Sequence, residues 1–181
     1  MASLHRLSIT PTINLYSLCM PRADRRPLDH LDARLLALFA AQPQIGVLGA
    51  SRELGVARGT VQARLDRLLR SGVISSQAPT LSPEALGYPV TAFCTLAIQQ
   101  QAGHDELLDH LDGIPEVLEV HTITGAGDVL VRLVAKDNPD LQRVIDQVVS
   151  TGIVTRTNTV IALAELMPRR TGPLVEESVS D

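Results

Sequence analysis

Apolar and polar positions follow two different rhythms along this chain. From Leu28 to about Ser71, apolar residues recur every three or four positions, the period of helices with one buried face. Leu31, Leu35, Leu36 and Phe39 mark a first helix from about Asp29 to Ala41. Asp29 is placed as its N-cap, Asp32 sits at N3 near the positive helix end, and Pro43 stops it. A second helix, from about Val47 to Glu53, turns Leu48, Ala50 and Leu54 inward. Gly55 follows, where a tight turn between helices needs a positive φ. A third helix, about Arg58 to Ser71, buries Val61, Leu65, Leu68 and Leu69 and ends at Gly72. Val73-Ile74 and Thr80-Leu81 predict the two short strands of a wing.

The rhythm then changes. Residues 82–88 read as a connector with a short helical turn, and period-2 stretches rich in β-branched residues follow. Strands are predicted at Val90–Ile98, Val117–Thr124, Val129–Ala135 and Val154–Leu166. Helices are predicted at Asp105–Leu111 and after a cap at Asn138 or Asp140, the latter with Leu141, Val144, Ile145 and Val148 inward. The order βαββαβ describes a ferredoxin-like sandwich, four antiparallel strands with two helices on one face. Val, Leu, Ile and Ala are expected on its open face, which a second copy is expected to cover. The fold class is therefore α+β. A winged helix-turn-helix (28–81) and a connector (82–88) precede a βαββαβ domain (89–167) that is expected to mediate oligomerisation. Residues 1–27 read as a flexible arm and 168–181 as a disordered tail.

Composition sharpens this picture. Aromatics make up 2% of the chain, which excludes a protein that binds bases by stacking them on rings. Residues 1–82 carry 10 Arg against 5 acidic residues, whereas residues 83–181 carry 6 basic and 15 acidic ones. The N-terminal part suits a polyanion and the C-terminal part does not. Two cysteines, Cys19 and Cys94, form no disulfide or metal framework, so a reducing cytosol is the default. No apolar run is long enough to span a membrane, and the first 20 residues lack the apolar centre of a signal peptide. These features predict a cytoplasmic, nucleoid-associated protein. Met20 is an alternative start, and Arg22, Arg25 and Arg26 form a basic cluster that suits either phosphate or solvent.

Two stretches carry candidate chemistry. The first is the third helix, whose size fits the major groove of a DNA duplex. Arg58, Gly59, Thr60, Gln62 and Ala63 lie on its leading turns, with Arg58 suited to guanine and Gln62 to adenine. Arg64, Arg67 and Arg70 suit phosphates or pairs within the protein. An ordinary three-helix bundle with an arginine-rich face has the same pattern. The second stretch is Gly125-Ala126-Gly127-Asp128, where two glycines let a ligand approach the backbone and Asp128 can accept from an ammonium group. A plain hairpin turn reads the same way. His104 and His110 do not share a helical face, Cys94 reads as core, and no catalytic triad, phosphate loop or cofactor fingerprint is present. The chain is read as having no cofactor and no metal.

Leu28-Asp29-His30-Leu31-Asp32 with Leu35-Leu36 resembles the opening of the Lrp/AsnC family of feast/famine regulators. Glu53-Leu54 with Val56 resembles its helix-turn segment. Val61, Arg64, Leu65, Leu68, Gly72, Val73 and Ile74 match its recognition helix, and Thr124 to Leu130 its effector loop. The resemblance covers residues 28 to about 166. It implies binding to double-stranded DNA, a homodimer formed through the sheets, stacking of four dimers into an octamer in some members, and a free amino acid bound near the glycine loop. Carried over by position, the effector residues are Gly125, Ala126, Gly127 and Asp128, with Thr157 and Thr159 on the last strand as further candidates. The chain departs from the family at three places. Ala57 replaces the usual serine cap of the recognition helix, Ala41 to Gln44 lacks the usual loop, and Gly127 stands where tyrosine is common. The last departure predicts a larger or more open pocket. Two alternatives remain: an architectural DNA-binding protein without effector, and an enzyme similar to tetrapyrrole decarboxylases, for which only Arg132, Arg143, Arg156 and His121 are available.

Overall fold

The structure, a computed structural model, describes residues 27–99 and 104–179. The basic cluster at 22–26, Cys19 and Met20 lie outside the described residues. The chain divides into two compact units, one reaching to Gln77 and resuming at Arg169, the other spanning Ala78–Pro168. No described helix is long and apolar enough to cross a membrane.

In the first unit, α1 (His30–Ala41) is followed by α2 (Gly46–Leu54) and α3 (Arg58–Arg70). Asp29 caps α1 through a reciprocal box: its Oδ1 accepts from the Asp32 N–H at 2.9 Å, and Asp32 Oδ2 accepts from the Asp29 N–H at 3.2 Å. Gly55 ends α2 at φ +68°, the left-handed conformation that lets the chain turn at once into α3. Ala57 offers α3 no side-chain cap, as the missing serine implies. Leu35, Ala50, Val61, Leu65 and Leu68 form the buried centre, with Leu31 and Leu69 only half-buried. Leu48, expected inside, is half exposed; buried Ser51 faces inward instead, its hydroxyl donating to the Leu48 carbonyl at 2.9 Å.

Two expectations for this unit fail. Residues 73–81 are bends and irregular backbone, without the two predicted wing strands. Val73 and Leu81 are exposed, and Pro79 has no N–H to donate to a strand pairing. The tail is not wholly irregular either. Residues Gly172–Glu177 form α6, which packs against α1, and Val179 bridges Leu28 in parallel.

The second unit holds β1 (Val90–Ile98), α4 (His104–Asp112), β2 (Val117–Thr122), β3 (Val129–Ala135), α5 (Asn138–Val149) and β4 (Val154–Ala162). The sheet order is β2-β3-β1-β4, with every pairing antiparallel. One face is apolar: Ala92, Cys94, Leu96, Val129, Val131 and Leu133 bury themselves against Leu107, Leu111, Leu141, Val144 and Val148. The cap of α5 is Asp137, not Asn138 or Asp140; its carboxylate accepts from the Asp140 N–H at 2.8 Å. β4 ends at Ala162, four residues short of expectation, and Leu163 and Leu166 are almost fully exposed.

The opposite face is more polar than expected. The register places Thr91, Phe93, Thr95 and Ala97 of β1 beside Arg156, Asn158, Val160 and Ala162 of β4. On the other side lie Leu130, Arg132 and Val134 of β3, then Glu119 and His121 of β2. Arg132 Nη1 donates to Glu119 at 3.1 Å. Hydrogen bonding to His121 and Arg132 holds the Glu119 carboxyl below its ordinary pKa, against the opposing effect of burial.

Candidate DNA-binding face and small-molecule cleft

The packing of α3 decides what it shows to solvent. Val61, Leu65 and Leu68 lie on one side and are buried, so the intervening positions must face outward. Arg58, Gly59, Thr60, Gln62 and Ala63 are all exposed. Gln62 donates to Asp66 one turn on, at 2.8 Å, within an exposed pair that solvent or a ligand can replace.

Arg64 and Arg67 are differently placed. Arg64 Nη1 donates to both Asp29 oxygens at 2.6 Å and to Asp32 Oδ1 at 2.8 Å, and Arg67 Nη2 donates to Asp32 Oδ2. These bonds tie α3 to the N-terminus of α1, across 32 to 35 residues of sequence. The Arg64 hydrogen bond brings Asp29 down to a pKa of about 2. Burial pushes Asp32 upward, but the hydrogen bonds from Arg67 and Arg64 outweigh it and leave its pKa below the ordinary value. The alternative of pairs within the protein is thus realised at Arg64 and Arg67, while Arg70 is exposed and makes no ion pair among the described residues. With Gly59, Thr60, Ala63 and Asp29, the two paired arginines line a shallow groove of about 470 Å³.

In the second unit the glycine loop is pinned to the end of β1. The Asp128 N–H donates to the Leu96 carbonyl and Asp128 Oδ2 accepts from the Ile98 N–H, both at 2.9 Å. That second bond is made where the register shifts between Ala97 and Ile98 and β4 carries the extra residue Thr155, so Asp128 satisfies the β1 N–H opposite a bulge in β4. Gly125 has φ +114°, a conformation that favours glycine. Gly127 is buried, and a Cβ there would lie 2.4 Å from the Thr95 methyl and 3.1 Å from the Leu96 carbonyl oxygen. The opening expected from a missing tyrosine is therefore absent at this point, because β1 itself fills the space.

A cleft of about 410 Å³ lies beside the loop, lined by Thr95, Ala97, Ala126, Arg156, Thr157 and Asn158. Thr157 lines it only in part: its hydroxyl and that of Thr159 lie 2.9 and 3.0 Å from the buried Cys94 sulfur, toward the helix side of the sheet. The structure thus brings Ala126 and Thr157 to one cleft and leaves Gly125, Gly127, Asp128 and Thr159 out of its lining. Arg156, Asn158 and Thr95 were not singled out as effector residues from the sequence. The available signal was their alternation on strands that pair in register, which requires the pairing to be known.

Comparison with known proteins agrees with both units. A winged helix-turn-helix DNA-binding family matches residues 28–75, and the Lrp/AsnC ligand binding domain matches residues 91–171. The HTH-type transcriptional regulator FL11 of Pyrococcus furiosus is 33% identical over 137 residues, which is 75% of this chain and 89% of that protein. Escherichia coli AsnC has a similar structure, with a TM-score of 0.74 and 23% identity, covering 82% of this chain and all of that one. A feast or famine regulatory protein from Mycobacterium tuberculosis, complexed with L-methionine, follows with a TM-score of 0.71 and 24% identity, covering 80% and 97%. With helices that can enter a DNA groove in one unit and a ligand-binding domain in the other, the chain belongs to the Lrp/AsnC family of DNA-binding transcriptional regulators.

Proposed function

We propose that the chain is a sequence-specific DNA-binding regulator whose assembly or grip on DNA responds to a small molecule, an amino acid. The observation that carries this reading is the division of α3 into a buried leucine side and an exposed leading face bearing Arg58, Gly59, Thr60, Gln62 and Ala63. In this reading those turns enter the major groove. Arg58 pairs with guanine, Gln62 leaves Asp66 for adenine, and Gly59 and Ala63 permit close approach. Arg64 and Arg67 each engage the aspartates through one terminal nitrogen, which leaves other N–H groups to donate to phosphates from a fixed position.

The effector half of the reading is supported by the loop Gly125-Ala126-Gly127-Asp128 and the cleft beside it, together with the L-methionine held by the M. tuberculosis protein. Asp128 keeps its second carboxylate oxygen for an ammonium group. Phe93, Leu130 and Val160 on the open face support a homodimer formed sheet to sheet. Its two recognition helices then read half-sites about one helical turn apart, or a multiple of it. Effector binding shifts the population of assemblies, and with it the spacing of those helices.

Gel shifts on the region upstream of the coding sequence, with and without each amino acid at moderate salt, test both halves. Sequence-preferring binding that one amino acid alters is the expected result. Its absence refutes the DNA-binding reading. Binding that no amino acid changes, in affinity, solution mass or melting, favours the architectural alternative.

A further inference from the structure

A single carboxylate stands on α3. Asp66 is the one acidic residue of that helix, set among Arg64, Arg67 and Arg70. No arginine pairs with it among the described residues: Arg64 and Arg67 turn to Asp29 and Asp32 instead. Its Oδ1 accepts from the Gln62 amide at 2.8 Å, in an exposed pair. At about 100° of rotation per residue, Asp66 stands roughly 40° beyond Gln62, between it and Ala63 and away from the buried Val61, Leu65 and Leu68. A face that lays Gln62 and Ala63 against a duplex therefore lays Asp66 between them.

In that position a carboxylate opposes binding unless the duplex returns a donor, because it shares the sign of the phosphates. In the major groove, guanine shows two acceptors, and thymine an acceptor and a methyl group. Adenine shows a donor beside an acceptor, and cytosine a donor alone, its N4 amino group. We infer that Asp66 is a specificity-determining residue: as Gln62 leaves it for adenine, its carboxylate accepts from the N4–H of a cytosine at a neighbouring base pair. The inference rests on the DNA-binding reading above and deepens it by naming a second base that α3 reads. The Gln62–Asp66 pair of the free protein makes the two choices interdependent. On the right site both side chains exchange each other for a base. On a wrong one the carboxylate faces an acceptor edge and stays unpaired, which rejects that site by repulsion.

The test selects sites from random-sequence duplexes with the full-length protein, as wild type, Asp66→Ala, Asp66→Asn and Gln62→Ala, and measures binding to them by fluorescence anisotropy. Circular dichroism and melting accompany each variant; the Gln62–Asp66 pair is exposed, so the fold should be retained. Wild type is expected to prefer cytosine at one position of each half-site by roughly 10- to 100-fold. Asp66→Ala should flatten that position and keep the adenine position, whereas Gln62→Ala should flatten the adenine position. Asp66→Asn, which can donate as well as accept, should shift the preference toward adenine and bind unrelated duplex roughly 2- to 5-fold more tightly, since a charge that repels phosphate is gone. N4-methylcytosine at the preferred position removes the exposed N–H; wild type should lose the same factor and Asp66→Ala nothing. An unchanged selected sequence in Asp66→Ala, or a wild type indifferent to the N4-methyl group, overturns the assignment while the DNA-binding reading stands. Flattening of the adenine position alone in Asp66→Ala overturns it too, because the carboxylate then only positions Gln62. If wild type selects no sequence, the DNA-binding reading and the assignment fall together.

Discussion

Replacing Asp32 by alanine removes the acceptor on which two elements of the DNA-binding unit converge. The side chain is 1% exposed and accepts from Arg64, from Arg67 and from the Asp29 N–H of the capping box. Each charge-assisted bond is worth about 1.5–3 kcal/mol. Arg64 keeps Asp29, and both guanidinium groups are about a quarter exposed (26% and 28%), so water takes over part of what is lost. The net loss should therefore fall short of the full penalty for breaking a buried pair, at about 2–4 kcal/mol. For a helical unit of this size that corresponds to a melting transition lower by roughly 10–25 °C. Scanning calorimetry should show that transition move while that of the βαββαβ unit stays. Asp32→Asn, which keeps the shape and one acceptor oxygen, should move it about half as far. A shift of less than about 3 °C in Asp32→Ala would refute the claim that this aspartate joins α1 to α3.

Three further outcomes follow from the same structure. Asp29 and Asp32 both have folded pKa values below the ordinary aspartate value of 3.8, so the stability they contribute is complete above about 4 and is lost as the pH falls toward 2; acid titration of the helical transition checks this. Truncation after Pro168 removes α6 and the Leu28–Val179 bridge and should lower the helical unit's stability by about 1 kcal/mol, given that Val175 and Val179 are half-buried, as read by urea unfolding. Leu133→Ala, in the fully buried face of β3, should destabilise the second unit by about 2–5 kcal/mol and leave the helical transition in place.

The sequence was most legible where one element's own residues determine its state. The α3 boundaries and the Asp29 cap follow from a leucine stripe, a carboxylate and a closing glycine, all local signals. Four strands in βαββαβ order follow from period-2 runs between turn residues. What failed depended on distant partners. Val73 and Leu81 have strand-like side chains but are exposed, and α6 is a six-residue helix that exists against α1, below the length at which sequence alone sustains a helix. Leu163 and Leu166 extend the apolar pattern of β4 although the neighbouring strand has ended. The cleft was legible at its loop and illegible at Arg156, which meets Ala126 only because β4 pairs with β1 in one particular register. At Gly127 the family comparison implied open space, and the Thr95 methyl of another strand fills it.

The central claim, that the exposed leading face of α3 reads DNA, is tested most directly by fluorescence anisotropy on DNA sites selected from random sequence, comparing wild type with Arg58→Ala and Gln62→Ala over a range of salt. Each variant should lose about 1–3 kcal/mol of discrimination at one base position of each half-site, while the salt dependence set by the phosphate contacts of Arg64 and Arg67 stays close to wild type. Variants that select the same sequence with the same affinity as wild type would contradict the assignment of this face to DNA.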